Sequence, residues 1–193
     1  MPKLYIIAGC NGAGKTTASY TVLPEMLGCR EFVNADEIAH GLSPFNPTSV
    51  SIEAGRLMLQ RMNDLLRDGA DFAFETTLAT RSYVRFIETA HKHGYFVTLL
   101  YFWLPSPELA IERVAMRVQQ GGHFIPSDVV RRRYWNSLHN LTTLYTPVCD
   151  LWAIYDNNVA DVEIRKIASG ERTEHIRIDE PALYEQIVNY ERH

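Results

Sequence analysis

The sequence predicts an α/β fold, with helices packed on both faces of a mainly parallel sheet to give three layers. Three observations carry that expectation. Short apolar runs alternate with helical-period segments along the chain, the pattern of parallel strands joined by helical crossovers. The run Phe96 to Leu104 is almost wholly apolar, as a strand buried on both faces must be. The segment Gly9-Cys10-Asn11-Gly12-Ala13-Gly14-Lys15-Thr16 fits G-x-x-x-x-G-K-[ST] between an apolar run and a helix start, the context of the phosphate loop in nucleotide-binding folds.

Each element has its own signal. Leu4 to Ala8 is the first strand, and a helix follows from about Lys15 to Met26. Phe32-Val33-Asn34 is a short second strand ending at Asp36. Pro44-Phe45-Asn46-Pro47 breaks the chain, and Thr48 or Ser49 is placed to cap a long helix reaching about Arg67. There Ile52, Gly55, Met58, Leu59, Met62, Leu65 and Leu66 recur at helical spacing, which predicts one core-facing stripe. Phe72-Ala73-Phe74 leads into Glu75-Thr76-Thr77 as a third strand, and Val84, Ile87 and His91 mark the next helix. Pro105 closes the central strand. A helix from about Pro107 to Gln119 turns Ile111, Val114, Ala115 and Val118 inward and sets Arg113 and Arg117 opposite. Gly121 to Pro126 reads as a loop, with Ser127 placed to cap a helix to about Leu144. Leu151 to Tyr155 is a fifth strand ending in Asp156-Asn157-Asn158; edge strands around Ser169-Gly170 and a helix from Pro181 complete the chain.

Composition narrows the function. A chain of 193 residues, 46% hydrophobic, buries one substantial core, and a single domain over residues 1–193 is the expectation. The net charge of −4 supplies no overall basic field, so a nucleic-acid partner is disfavoured. Of 19 basic residues only Lys3, Lys15, Lys92 and Lys166 are lysines, and the arginine majority suits bidentate phosphate contacts. Cys10, Cys29 and Cys149 are odd in number and lack metal-ligand spacing, consistent with a reduced, cytoplasmic setting. No apolar run approaches a membrane span.

In open α/β sheets ligands bind beyond the carboxyl ends of the strands, and the polar residues sort to that rim. In the loop, Gly9, Asn11, Gly12, Ala13 and Gly14 bend the backbone so that N–H groups face a nucleotide, with Thr17 just inside the helix. Lys15 reaches the β- and γ-phosphates of a nucleoside triphosphate and Thr16 ligates Mg²⁺. Asp36 and Glu75 are the acceptor-side acids for phosphoryl transfer; alternatively Asp36 caps a helix, and Glu75 is satisfied locally or holds the Mg²⁺ water shell. Arg113, Arg117 and the Arg131-Arg132-Arg133 run flank a Gly-rich hinge, as a lid would need, or form a solvated face. Three consecutive helical residues span about 200°, so the run cannot converge on one ligand. His123 reads as a substrate-recognition residue of the loop, and Cys10 as either an acidified thiol at a helix start or a small filler. Acceptor recognition is expected from Leu42 to Ser51 and from Phe124 to Ser127. Two other activities fit these residues: a nucleotide-gated regulatory NTPase, though without the N-K-x-D of a guanine switch, and a nucleic-acid end kinase using Tyr134 and Trp135.

The series IIAGCNGAGKTT, VNADEIA, FETTLA, RVAMRVQQGGHFIP with RRRYW after it, and LWAIYDNN runs in order from residue 4 to about 158. It resembles the zeta toxin family of phosphate-loop kinases, especially its short single-domain members. The resemblance implies an adenylate-kinase-like fold with a small helical lid at about residues 113–133, ATP and Mg²⁺, and phosphorylation of a hydroxyl on a small molecule. For the toxins that molecule is UDP-N-acetylglucosamine, and an antitoxin protein is the partner. It further implies that Lys15 and Asp36 act in catalysis, with Asp36 as general base, and that Arg117 and one of Arg132 or Arg133 form the phosphate-binding pair, Arg132 being the one expected to act in catalysis. By the same resemblance Thr16 is the metal-side hydroxyl and Glu75 lies on the substrate side; from their place on the rim and loop, Arg133 and Asn157 are expected at the nucleotide, and Thr76 and His123 on the substrate side.

Overall fold

The computed structural model describes residues 1–119, 122, 124–158 and 165–190. Its strands are β1 (Lys3–Ala8), β2 (Glu31–Val33), β3 (Phe72–Thr76), β4 (Phe96–Trp103), β5 (Leu151–Asp156), β6 (Arg165–Glu171) and β7 (Glu174–Ile178). Its helices are α1 (Lys15–Thr21), α2 (Ala35–Leu42), α3 (Ser51–Asp68), α4 (Ser82–Lys92), α5 (Pro107–Gln119), α6 (Ser127–Asn140) and α7 (Pro181–Val188). All described strands form one sheet in the order β2-β3-β1-β4-β5-β6-β7, parallel from β2 to β5 and antiparallel through β6 and β7. The α/β fold and the mainly parallel sheet are as expected.

The middle of the sheet is apolar because both faces are covered. Leu4, Ile6, Ile7 and Ala8 of β1 are fully buried, as are Phe72, Ala73 and Phe74 of β3. The register sets Ala8 beside Thr76 on one side and Tyr101 on the other. The chain leaving β1 therefore emerges between the carboxyl ends of its neighbours. Gly9 makes the exit: at φ +145°, a Cβ there would fall 2.3 Å from the Phe102 carbonyl oxygen of β4.

Several local expectations are corrected. Neither Thr48 nor Ser49 caps α3; Pro47–Val50 is a 3₁₀ turn in which the Ser49 hydroxyl donates to the Asn46 carbonyl, and α3 starts after it. Ser127 is the first residue of α6 and Pro126 stands at its cap position, with no side-chain bond. On α3 the buried face is Ala54, Met58, Met62, Leu65 and Leu66, whereas Ile52 and Leu59 are exposed. On α5 Ala110 and Val114 are buried and Ala115 is exposed. Ser169-Gly170 lies within β6, where Gly170 makes room for the Trp152 indole; the hairpin turns after Glu171 instead. The helices after Lys15 and Ser127 both end in wide π turns, Val22–Met26 and Leu141–Tyr145. No helix among the described residues is long and apolar enough to cross a membrane.

Opposite the loop end of the sheet, Asp150 ties three elements together. Its carboxylate accepts the Val97 N–H at 2.8 Å, shares a hydrogen bond with His91 Nε2 at 2.9 Å and accepts from Arg172 at 2.9 Å. Partial burial works against the charged form, but the bonds from Val97, Arg172 and His91 outweigh it and hold the carboxyl below its usual range. A depressed native pKa means stability that is present above the unfolded-state value near 4 and lost as pH falls through the native one. Asp150→Ala should cost about 2 kcal/mol at pH 7, with the difference from wild type shrinking as urea titrations move below about pH 4. Gly9→Ala should cost about 3 kcal/mol by the same measurement, because a strained φ and a backbone clash coincide.

Candidate active site

The loop after β1 is braced from behind. A Cβ on Gly14, which has φ +73°, would lie 2.4 Å from Asn157 Nδ2. That amide donates to the Ala13 carbonyl at 2.6 Å. Arg113 donates to the carbonyls of Asn157 and Asn158 at 2.9 and 3.1 Å, joining α5 to the end of β5. Asn157 thus supports the loop from outside the cavity lining. Gly14 stands at the start of α1 with no side-chain cap, which leaves first-turn N–H groups for an anion.

In front of the loop is a cavity of about 580 Å³. Asn11, Gly12, Gly14, Lys15, Thr16 and Thr17 form one wall, and Asp36, Glu75 and Thr76 face them. Arg113, Arg117 and Arg133 also line it. Lys15, only 6% exposed, donates to the Cys10 carbonyl at 2.9 Å and lies 3.7 Å from Glu75 Oε1. Glu75 Oε2 accepts from the Thr16 hydroxyl at 2.8 Å and from the Asn34 amide at 2.9 Å. The structure therefore sets Glu75 against the Thr16 hydroxyl and the Lys15 ammonium. A hydroxyl that donates to Glu75 still has lone pairs for a cation, and two adjacent hard oxygens suit Mg²⁺ shared with phosphates. Thr76 lines the cavity while its hydroxyl accepts the Leu78 N–H at 3.0 Å, holding a turn in which Leu78 has φ +60°.

Asp36 does not cap α2. Asn34 does, accepting the N–H groups of Asp36 and Glu37 at 2.8 and 3.4 Å. The exposed Asp36 carboxylate stands on the cavity wall. It also lines a second cavity of about 460 Å³, which shares Ala35, Asp36, Thr48, Ser51 and Arg117 with the first. Pro44, Phe45, Pro47 and Phe124 all line this second space, so the two segments expected to shape acceptor recognition meet there.

The arginine run divides as helix geometry requires. Arg133 lines the cavity and donates to Asn11 Oδ1 at 3.3 Å. Arg131 pairs with Glu108. Arg132, expected in catalysis, is exposed and outside the lining, because α6 buries Val130, Tyr134 and Ser137 and its neighbour turns to solvent. Cys10 is not an acidified thiol: burial pushes it up to about 11, more than the Lys15 charge lowers it. All three cysteines are buried and free. His123 lies outside the described residues, as do Gln120 and Gly121 of the expected lid. Asn34 as a cap was legible from its residue type before a helix; its bond to Glu75, and Arg113's bonds to the end of β5, had no sequence signal.

Comparison with known proteins gives this geometry a family. The sequence matches the family described as zeta toxin over residues 1–165. The chain belongs to the zeta toxin family. The phosphate-loop motif and the cavity in front of it accord with that membership. It is 31% identical over 132 residues to an uncharacterized protein of Haemophilus influenzae, spanning 68% of this chain and 92% of that protein. Among solved structures it resembles the AvrRxo1-ORF1:-ORF2 complex with ATP, at TM-score 0.76 and 21% identity over 97% of this chain. It spans 63% of the length of that chain. It also resembles the PezAT toxin-antitoxin system of Streptococcus pneumoniae, at TM-score 0.66 and 18% identity over 100% of this chain and 80% of that one. These structural likenesses show a shared fold.

The division of the arginines is directly testable. Arg133→Ala should weaken nucleotide affinity at least about fivefold, while Arg132→Ala changes it less than about twofold. Calorimetric titration with ATP reads both.

Proposed function

We propose that this zeta toxin family member is an ATP-dependent kinase that transfers the γ-phosphoryl group to a hydroxyl of a small molecule. A UDP-amino sugar such as UDP-N-acetylglucosamine is the acceptor class to test first. One observation carries the reading: Asp36 and Arg117 stand on the wall common to two adjoining cavities, one built around a phosphate loop and the other free for an acceptor. ATP is assigned to the first cavity and the acceptor to the second.

In this reading the N-terminus of α1 and Lys15 take the β- and γ-phosphates, and Thr16 with Glu75 would hold Mg²⁺ against them. The metal, when bound, offsets phosphate charge. Asp36 accepts the proton of the acceptor hydroxyl as its oxygen bonds to the γ-phosphorus. The bond from that phosphorus to the bridging oxygen breaks, and ADP leaves with the electron pair. Arg117 and Arg133 stabilise charge on the transferring group. The resemblance to the PezAT system adds an antitoxin protein to the proposal, and an ATP donor sets the reaction in the cytoplasm.

Incubation with γ-labelled ATP and a panel of hydroxyl metabolites should yield a labelled product. Asp36→Asn should lower transfer at least about 100-fold and leave ATP affinity within about twofold, as an exposed side chain off the phosphate loop should. Transfer at the parental rate would remove Asp36 as base. ATP consumption independent of every acceptor would favour a regulatory NTPase, and labelled oligonucleotide ends would favour a nucleic-acid kinase.

A further inference from the structure

We propose that Asn34 is a positioning residue that fixes the metal-side carboxylate of Glu75 relative to the helix carrying Asp36, using both ends of one amide. The inference rests on the kinase reading above for its effect on turnover, and on the structure alone for its effect on Glu75.

Asn34 is 5% exposed at the end of β2. Its Oδ1 accepts the Asp36 and Glu37 N–H groups at 2.8 and 3.4 Å, and its Nδ2 donates to Glu75 Oε2 at 2.9 Å. The neighbours dictate the amide's orientation: backbone N–H groups only donate and an ionised carboxylate only accepts, so a flip would break both sets of bonds. A planar group of fixed size therefore spans the first turn of α2 and the end of β3. Sheet pairing cannot do this. β2 and β3 pair only through Glu31–Phe72, Phe32–Ala73 and Val33–Phe74, and the Asn34 amide is the next link beyond the last pair.

Capping alone does not explain the residue. Asp and Ser cap helices about as well as Asn. Asp would set a second carboxylate against Glu75, and Ser would offer neither the reach nor the amide donor. Glu75 Oε2 also accepts the Thr16 hydroxyl at 2.8 Å; losing the amide lets the carboxylate rotate away from the lone pairs that Thr16 presents to a cation.

Asn34→Ser and Asn34→Asp test this, because both keep a capping oxygen. The unfolding midpoint of Asn34→Ser should stay within about 3 °C of wild type, and that of Asn34→Asp should fall further because of the carboxylate set against Glu75. Calorimetric titration with ATP, in Mg²⁺ and in EDTA, at a temperature where every variant is folded, reads the gain in affinity that the metal confers. That gain should fall about tenfold in both variants. On a Glu75→Ala background, Asn34→Ser should produce no further loss. With an acceptor in hand, KM for ATP in saturating Mg²⁺ should rise about tenfold, in step with the lost metal gain, while KM for the acceptor moves less than about threefold. A wild-type metal gain in both variants overturns the proposal and leaves a cap. A loss in Asn34→Asp alone overturns it too, assigning the effect to added charge, and so does a wild type with no metal gain. A wild type that phosphorylates no acceptor counts against the kinase reading, while the metal titration still decides the link between Asn34 and Glu75.

Discussion

The site is organised around one carboxylate. Glu75 stands against the Lys15 ammonium and takes hydrogen bonds from Thr16 and Asn34, so the phosphate loop, α1, β3 and the start of α2 all converge on it. Lys15 is almost fully buried, and a buried cation without an opposing charge is costly. Glu75 offsets that cost before any nucleotide arrives. The same contact keeps the loop open, since a lysine held between the Cys10 carbonyl and Glu75 is not free to collapse across the space where phosphates belong. An entering polyphosphate adds negative charge beside a lysine already fixed in place, with little ordering left to do.

That convergence follows from strand order. β1 lies between β3 and β4, and the chain leaves it toward β2 on one side before returning to β4 on the other. Reversals of this kind open a crevice at the carboxyl ends of parallel strands. The register aligns Ile7 with Glu75 and Ala8 with Thr76, so the acid at the end of β3 cannot avoid the loop that follows β1. The contact is a property of the topology, and Gly9 makes it feasible by letting the loop pass under the β4 backbone.

The legible part of this structure is the part written in local pattern. The phosphate loop, the five parallel strands and the apolar β4 follow from periodicity and from glycines whose φ values only glycine tolerates readily. What was hidden depends on residues far apart in sequence. Glu75 could be placed at a strand end but not assigned to Thr16, because the choice turns on which strand lies beside β1. Arg132 and Arg133 are indistinguishable until the buried face of α6 is known, and Tyr134 decides it by pointing inward to bond the Leu104 carbonyl. Ile52 and Leu59 fit a helical stripe, yet Ala54 and Met58 set the true phase of α3. The Cys10 thiol illustrates competing magnitudes: burial raises its pKa by more than the Lys15 and Arg113 charges lower it.

Charge distribution connects the fold to the choice of substrate. The chain carries −4 overall, while the described lining of the first cavity holds four basic side chains, Lys15, Arg113, Arg117 and Arg133, against Asp36 and Glu75. A positive recess in an acidic surface focuses field on an anion small enough to enter and repels a long polyanion that must also cross the exterior. This favours a free nucleotide over a nucleic-acid strand. Asp36 sits where that recess meets the second cavity and is exposed, so water competes for its oxygens until another molecule excludes it. An acceptor seated between Phe45 and Phe124 would displace that water and present its hydroxyl to the carboxylate in the same event. In the proposed reaction the shared wall would thereby couple proton removal to acceptor binding.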